Sequence, residues 1–197
     1  MTSEGHSGKH LCALSFPNAV ETDSINEIAE TSSTNMHIYI MRHGEAHAFA
    51  ASDEERQLTE LGEHQSAAMA KWLAGQLPSG LLDIVLVSPY IRAQQTWQAC
   101  ETLLPVATKV LTDEGITPYG DSEDVAAYLR ALIAVDKPES VLVVSHLPLV
   151  GYLTAEWSPG MQPPMFPTSS ISCVEYDVET DKSDVLWLKT PSQVMKA

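Results

Sequence analysis

Short apolar runs alternate along this chain with longer segments of helical periodicity. The clearest run spans Val141–Val144, and runs at Ile38–Met41 and Ile84–Val87 are of the same kind. A weaker run extends from Val106 to Leu111. Because runs of about four to eight apolar residues between polar segments are typical of buried strands, the pattern predicts four of them.

Helical segments separate these strands and are marked by capping signals. Thr59 is the predicted N-cap of the first helix. Ser88 is the predicted cap of the second, with Pro89 at the first helical position. Either Asp121 or Ser122 caps the third. The first helix carries an apolar stripe of Leu61, Ala68, Met69, Trp72 and Leu73. The predicted helices cover residues 59–75, 89–104, 122–135 and 147–156.

The last part of the chain changes character. A proline-rich loop, 159–167, precedes two alternating segments, 172–178 and 184–188, which predict an antiparallel hairpin. The whole pattern predicts a three-layer α/β/α sandwich with a mainly parallel sheet and a C-terminal hairpin. Residues 1–35 are rich in polar residues and are expected to form a disordered extension before a single domain, 36–197. The position of Met36 directly before the first strand leaves the start of translation open between Met1 and Met36.

Composition narrows the class of partner. A net charge of −15 argues against nucleic acid or an anionic membrane as the ligand. No apolar run reaches the roughly 18 residues of a membrane span, and no secretory signal is evident. Three scattered cysteines indicate a reducing compartment, so we expect a cytoplasmic protein and a monomer.

Basic and imidazole side chains cluster where the predicted strands end. Arg42 and His43 follow the first strand, Arg92 lies just past the second, and His146 follows the fourth. Because ligands bind at the carboxyl ends of parallel strands, we expect these residues to share one site. Arginines can present paired N–H donors to a phosphate, and a neutral imidazole can attack phosphorus.

These residue types predict phosphoryl transfer through His43. Its other ring nitrogen should donate to a main-chain carbonyl near Gly44, while a protonated His146 would hold phosphoryl oxygens. No phosphate-binding glycine loop of the Walker type is present, so nucleotide binding is not indicated. Nothing in the sequence calls for a cofactor or a metal. His6 and His10 have a helical spacing, but no Cys or carboxylate pattern beside them indicates a metal site.

The motifs around these residues resemble a known family, the histidine phosphatase superfamily with its phosphoglycerate mutase-like fold. The resemblance covers about residues 36–190. Many members have glycine directly after the second histidine, whereas this chain has Leu147. In this position and in segments 145–153 and 163–166 the sequence resembles the bacterial phosphohistidine phosphatases of the family. The motifs that carry the resemblance are Arg42-His43-Gly44-Glu45, Leu58-Thr59-x-x-Gly62, Ser88-Pro89-x-x-Arg92-Ala93-x-x-Thr96 and Ser145-His146.

The resemblance implies a role for each site residue. His43 becomes the phosphorylated nucleophile, and Arg42, Arg92 and His146 form the phosphate pocket. Arg56 becomes a further phosphate-contacting arginine.

The general acid is less well marked. Larger members of the family use a carboxylic acid from the segment after the second helix, where this chain offers only Asp113 and Glu114. A phosphorylated imidazole can enter already protonated on its second nitrogen, which weakens the need for such an acid.

The substrate is predicted to be a histidine-phosphorylated protein. Residues 105–140 are largely used by one strand and one helix, so no lid fits and the pocket should be open. The family likeness suggests the phosphotransfer domain of a sensor kinase or a phosphocarrier of the sugar phosphotransferase system. Two alternatives remain, a broad small-molecule phosphatase of the same fold and a non-catalytic phosphoprotein-binding module.

Overall fold

The computed structural model describes residues 35–195, all of which belong to one compact unit. Most of the predicted N-terminal extension, with His6, His10 and Cys12, lies outside the described residues. Asn35, expected to close that extension, is instead the first residue of a strand.

A six-stranded sheet forms the centre of the domain, in the order β3-β2-β4-β1-β5-β6. Strands β1 to β4 are mutually parallel, whereas β5 runs antiparallel to β1 and β6 antiparallel to β5. The parallel sheet and terminal hairpin predicted from the sequence are therefore confirmed. The strands are β1 (Asn35–Arg42), β2 (Ile84–Val87), β3 (Lys109–Thr112), β4 (Ser140–Ser145), β5 (Ile171–Asp177) and β6 (Lys182–Lys189).

Helices cover both faces of the sheet because its central strands are apolar on both sides. In β1, Ile38 and Ile40 pack into the core beneath α3 and α4, while Tyr39 and Met41 pack toward α1 and α2. This two-sided burial produces the three layers. The helices are α1 (Glu60–Ala74), α2 (Ile91–Glu101), α3 (Ser122–Asp136), α4 (Leu149–Glu156) and the short α5 (Pro191–Val194), with one 3₁₀ turn at Glu114–Ile116. No helix within residues 35–195 is long and apolar enough to cross a bilayer.

Several boundaries differ from the predicted ones, and two of them bear on the site and its surroundings. β3 begins at Lys109 and not at Val106, whose side chain is 94% exposed. Helix α2 begins at Ile91, so the prediction that Ser88 caps it was wrong. Ser88 still belongs to the sheet edge, since its N–H donates to the carbonyl of Val144 at 3.0 Å.

The predicted caps elsewhere were largely correct. The Thr59 hydroxyl accepts the Gly62 N–H at 3.0 Å, and Asp121, not Ser122, caps α3. The predicted stripe of α1 was wrong at Leu61, which is 47% exposed.

Candidate active site

The register of β1 and β4 brings the two histidines together. Arg42 lies opposite Ser145 in the parallel ladder, so the next residue of each strand, His43 and His146, leaves the sheet at the same point. The N–H of His43 donates to the carbonyl of Ser145 at 2.9 Å. The centroids of the two imidazole rings are 5.0 Å apart. Arg92 completes this arrangement from the first turn of α2.

Helix α2 fixes both the Arg92 guanidinium and the backbone next to His43. The Nε of Arg92 donates to Nε2 of His43 at 3.3 Å. One turn later, the hydroxyl of Thr96 accepts the N–H of Gly44 at 2.9 Å and itself donates to the carbonyl of Arg92. Arg92 and Thr96 of the third motif therefore hold the end of β1, which carries the first motif.

His43 is neutral, with its proton on Nδ1. That nitrogen lies 2.7 Å from the carbonyl oxygen of Gly44, which can only accept, so Nδ1 is the donor. Burial lowers the pKa of His43 to about 3, with a further lowering from the Arg92 and Arg42 guanidiniums. The Gly44 carbonyl acts in the opposite direction and is outweighed. The lone pair of Nε2 is therefore available at neutral pH.

His146 is held by a residue whose role the sequence did not reveal. Its Nε2 lies 2.7 Å from the Ser88 hydroxyl, and its Nδ1 is buried with no hydrogen-bond partner in the described part of the chain. Burial lowers the pKa of His146, and the nearby His43 and Arg92 lower it further. The ring is therefore neutral in the free protein, whereas the sequence suggested a protonated one. A bound phosphoryl dianion would favour the protonated form.

Arg42 is half-buried beside this pair. Its Nη1 donates to the carbonyl of Phe166 at 2.6 Å, while its buried Nε has no hydrogen-bond partner within residues 35–195. Burial lowers its pKa, as do the nearby Arg92 and Arg56. A buried donor without a partner costs roughly 1–3 kcal/mol. An oxyanion is the ligand that would satisfy it.

The loop after β1 supplies Asp53, which sequence reasoning missed. Its carboxylate forms ion pairs with Arg92 at 2.9 Å and with Arg56 at 3.1 Å. Its carbonyl also accepts from Nη1 of Arg92, and Arg56 Nε donates to the carbonyl of His47 at 2.7 Å. Arg42, His43, Arg92 and His146 are called the cluster below. The structure joins Arg56 to this cluster through Asp53. The Nη1 and Nη2 donors of Arg92 are therefore both engaged by Asp53.

Comparison with known proteins identifies the family of the chain. Residues 38–124 match the model of the histidine phosphatase superfamily, branch 1. The chain is also 46% identical over 164 residues to phosphohistidine phosphatase SixA of Escherichia coli strain K12, which covers 82% of this chain and 98% of that protein. The chain belongs to the histidine phosphatase superfamily.

Two further matches support membership of the superfamily. A SixA homolog of Haemophilus influenzae is 41% identical over 156 residues, covering 77% of this chain and 93% of the relative. A solved structure of the protein histidine phosphatase SixA complexed with tungstate is 44% identical. Its TM-score is 0.75, and the match covers 80% of this chain and 99% of that chain.

In this member of the histidine phosphatase superfamily, the two candidate proton donors take no part in the hydrogen bonds of the cluster within residues 35–195. The Asp113 carboxylate accepts the Gly115 N–H at 2.7 Å and so caps the 3₁₀ turn. Glu114 is exposed, and both residues line a cleft against α3. Across residues 35–195, neither carboxylate hydrogen-bonds to the histidines or arginines of the cluster.

Two further ionisable residues of this superfamily member make structural contacts. Glu45 accepts from the Thr59 hydroxyl at 3.0 Å, and Arg130 lies over the Trp157 ring at 4.3 Å. The described residues contain no group of three His, Cys, Asp or Glu side chains that could hold a metal.

Proposed function

We propose that this protein is a phosphohistidine phosphatase, which removes the phosphoryl group from a histidine of another protein through a phospho-His43 intermediate. The observation that carries the proposal is the state of His43. Its Nδ1 proton is held by Gly44, and its Nε2 lone pair faces the Arg92 guanidinium. The similarity to proteins named phosphohistidine phosphatase supports the same substrate class.

The first step transfers the phosphoryl group to the enzyme. The lone pair of His43 Nε2 attacks phosphorus, the new N–P bond forms, and the bond from phosphorus to the substrate imidazole breaks. Arg92 Nε, now directed at Nε2, would turn its donation to an equatorial oxygen. The unpartnered donors Arg42 Nε and His146 Nδ1 would bind further oxygens.

The second step returns the enzyme to its starting state. Water attacks phosphorus and the bond to His43 Nε2 breaks. The electron pair of that bond returns to Nε2, and inorganic phosphate leaves with the protons of the water. The same donors stabilise the charge in both steps because the phosphorus stays bound in one cluster.

The proton donor to the leaving group is proposed to be Glu114, if the substrate requires one. The carboxylate of Asp113 accepts the Gly115 N–H, whereas the carboxylate of Glu114 accepts no hydrogen bond within the described residues. A substrate imidazole that already carries a proton on its second nitrogen needs no such donor.

A protein substrate is favoured because residues 35–195 provide no inserted lid between α2 and β4. The chain between α2 and β4 is used for β3, the 3₁₀ turn and α3, all of them layers of the sandwich. A phosphohistidine on the surface of a folded protein can enter such a site. We propose a phosphotransfer domain of a sensor kinase or a phosphotransferase-system carrier as the partner.

The test is a comparison of kcat/KM on four substrates. They are a histidine-phosphorylated phosphotransfer domain, a histidine-phosphorylated phosphocarrier, phosphoramidate and a sugar phosphate. We expect at least one phosphoprotein to be preferred, and His43→Ala to lose about 10³-fold or more on all of them. His64→Ala, an exposed histidine of α1, serves as the matched control.

The alternatives predict different results. Higher kcat/KM on the sugar phosphate than on both phosphoproteins would favour a small-molecule phosphatase. Binding of the phosphoproteins without phosphate release would indicate a binding module. Either result would refute the proposal.

A further inference from the structure

We propose that Phe49, Tyr119 and Met165 form an apolar docking rim for the protein that carries the phosphohistidine. The partner surface around that histidine would be apolar and bordered by lysine or arginine side chains. This inference rests on the proposed function and adds the means by which the partner is recognised. The three residues are called the rim below.

The rim residues are large apolar side chains left in solvent. They are 93%, 84% and 78% exposed, respectively. Aromatic residues and methionine are the types enriched at protein interfaces. Isolated exposed apolar residues are common, so their position relative to the site decides whether these three matter.

All three lie in loops at the carboxyl-terminal end of the parallel strands, where His43 and His146 also lie. This end is called the site edge of the sheet. Phe49 follows β1 and Tyr119 follows β3, so both leave carboxyl ends of parallel strands. Met165 precedes β5, which is antiparallel to β1, so the loop before it lies at the same edge. The rim is therefore contributed by three separate loops around one site.

Each loop is attached to the cluster by a contact close to its rim residue. The loop of Phe49 also carries Asp53, which pairs with Arg92. Met165 precedes Phe166, whose carbonyl accepts from Arg42 Nη1 at 2.6 Å.

The loop of Tyr119 is attached in the same way. Its residue Ile116 accepts the Ser145 hydroxyl at 2.7 Å, next to His146. Burial raises the pKa of Tyr90, and Glu54 and Tyr119 both lie close enough to raise it further. The Tyr90 ring centroid is 5.1 Å from that of His146.

Two other exposed apolar residues provide a comparison. Val106 is 94% exposed and Val135 is 78% exposed, so they match the rim in exposure. Val106 precedes β3 and Val135 lies near the end of α3 before β4, which places both toward the opposite edge of the sheet. They should have no effect on docking.

The charges around the rim specify the partner. Exposed carboxylates lie on the loops of Phe49 and Tyr119, namely Glu54, Glu55, Glu114 and Asp121. Inside them lie the guanidiniums of Arg42, Arg92 and Arg56. The complementary surface has a phosphoryl group at the centre, apolar side chains around it and basic side chains outside. A second copy of this chain fits poorly, because each copy carries a net charge of −15.

The test compares a triple variant with a matched double variant in the full-length protein. Phe49→Ser, Tyr119→Ser and Met165→Ser together remove the rim, and Val106→Ser with Val135→Ser forms the control. For each protein, kcat/KM is measured on a histidine-phosphorylated phosphotransfer domain and on phosphoramidate, a small N–P substrate that cannot contact the rim.

We expect the triple variant to lose about 10- to 100-fold in kcat/KM on the phosphoprotein, mainly through KM, and to stay within about twofold on phosphoramidate. The control should keep both activities. Added salt should lower kcat/KM more steeply for the phosphoprotein than for phosphoramidate.

Three results would overturn the rim. They are an unchanged kcat/KM on the phosphoprotein, an equal loss on both substrates, and an equal loss in the control. A wild-type protein that hydrolyses phosphoramidate but no phosphohistidine protein would refute the proposed function, and the rim with it. The two failures are therefore distinguishable.

Discussion

The imidazole of His43 is prepared for attack by two features of its surroundings. Burial keeps the ring neutral, and the Gly44 carbonyl at 2.7 Å holds the only ring proton on Nδ1. Burial alone would leave the tautomer undecided, and the carbonyl alone would raise the pKa. Together they leave Nε2 as the ring nitrogen of His43 that carries the lone pair, which accepts from Arg92 Nε in the free protein.

Asp53 controls how strongly the site holds an anion. Its carboxylate pairs with Arg92 and Arg56, so it competes with phosphate for the same donors. A unit charge about 4 Å away is worth up to about 4 kcal/mol near a protein surface, and exposure reduces this. We predict that Asp53→Asn lowers the inhibition constant of inorganic phosphate by about 3- to 10-fold.

Glu55→Gln is the matched control for Asp53. It removes the same charge from the same loop, but within the described residues the Glu55 carboxylate accepts a hydrogen bond only from Ser52, at 3.3 Å. Its inhibition constant for phosphate should stay near that of the wild type. Weaker phosphate binding by Asp53→Asn would mean that the carboxylate chiefly orders Arg92 and does not compete with the ligand.

At this scale the sequence predicted the residues that follow strands, and missed those that depend on the path of a loop. Arg42, His43, Arg92 and His146 come together because strand ends meet. Asp53 reaches Arg92 across 39 positions of sequence through an irregular loop, which no periodicity encodes. The signal that was available is its spacing of three residues from Arg56.

Two elements, β1 and α1, are joined by an unusually close backbone approach at the site. A Cβ on Gly44 would lie 2.7 Å from the carbonyl oxygen of Gly62 and from the Ser66 hydroxyl. A Cβ on Gly62 would lie 2.1 Å from the Glu45 carbonyl oxygen. The glycines of the first two motifs therefore set the distance between the nucleophile and the first helix.

Gly44→Ala should separate these elements. Because the clash is with backbone, we predict a loss of about 2–4 kcal/mol in the free energy of unfolding, measured in urea. We also predict a fall in kcat, since the Gly44 carbonyl positions His43. Gly75→Ala is the control, because its Cβ would come no closer than 3.5 Å to Trp72. An equal effect of both substitutions would show that the approach is unimportant.

The capping signals show where element prediction reached its limit. Ser88-Pro89 has the composition of a helix start, yet α2 begins at Ile91. The register of β2 with β4 explains the difference, because it places Ser88 beside the strand end that carries His146. The hydroxyl therefore binds the imidazole at 2.7 Å, a tertiary contact that local sequence does not contain.

The whole molecule is strongly acidic, with a net charge of −15. Three of its four arginines lie at the site beside the two buried histidines His43 and His146. The pKa values of His43 and His146 are both lowered, chiefly by burial. As the pH falls below the ordinary histidine value of about 6.5, the unfolded chain takes up protons that these two folded-state rings do not. The free energy of unfolding should therefore decrease as the pH falls.

We predict that these two rings cost roughly 2 kcal/mol each in the free energy of unfolding between about pH 7 and about pH 5. The measurement is urea unfolding of the full chain at both pH values without phosphate. A variant with His43→Asn and His146→Asn should lose less stability on acidification, whereas His64→Asn should behave like the wild type. Equal pH dependence in all three proteins would show that neither ring is kept neutral by the fold.

The most direct test of the account is to locate the phosphoryl group on the enzyme during turnover. The protein is mixed with a histidine-phosphorylated phosphotransfer domain, quenched in alkali and digested, and the modified ring nitrogen is identified by mass spectrometry and NMR. The account predicts an acid-labile phosphoryl group on Nε2 of His43, absent from His43→Ala. A phosphoryl group on Nδ1, or phosphate release by His43→Ala at the wild-type rate, would contradict it.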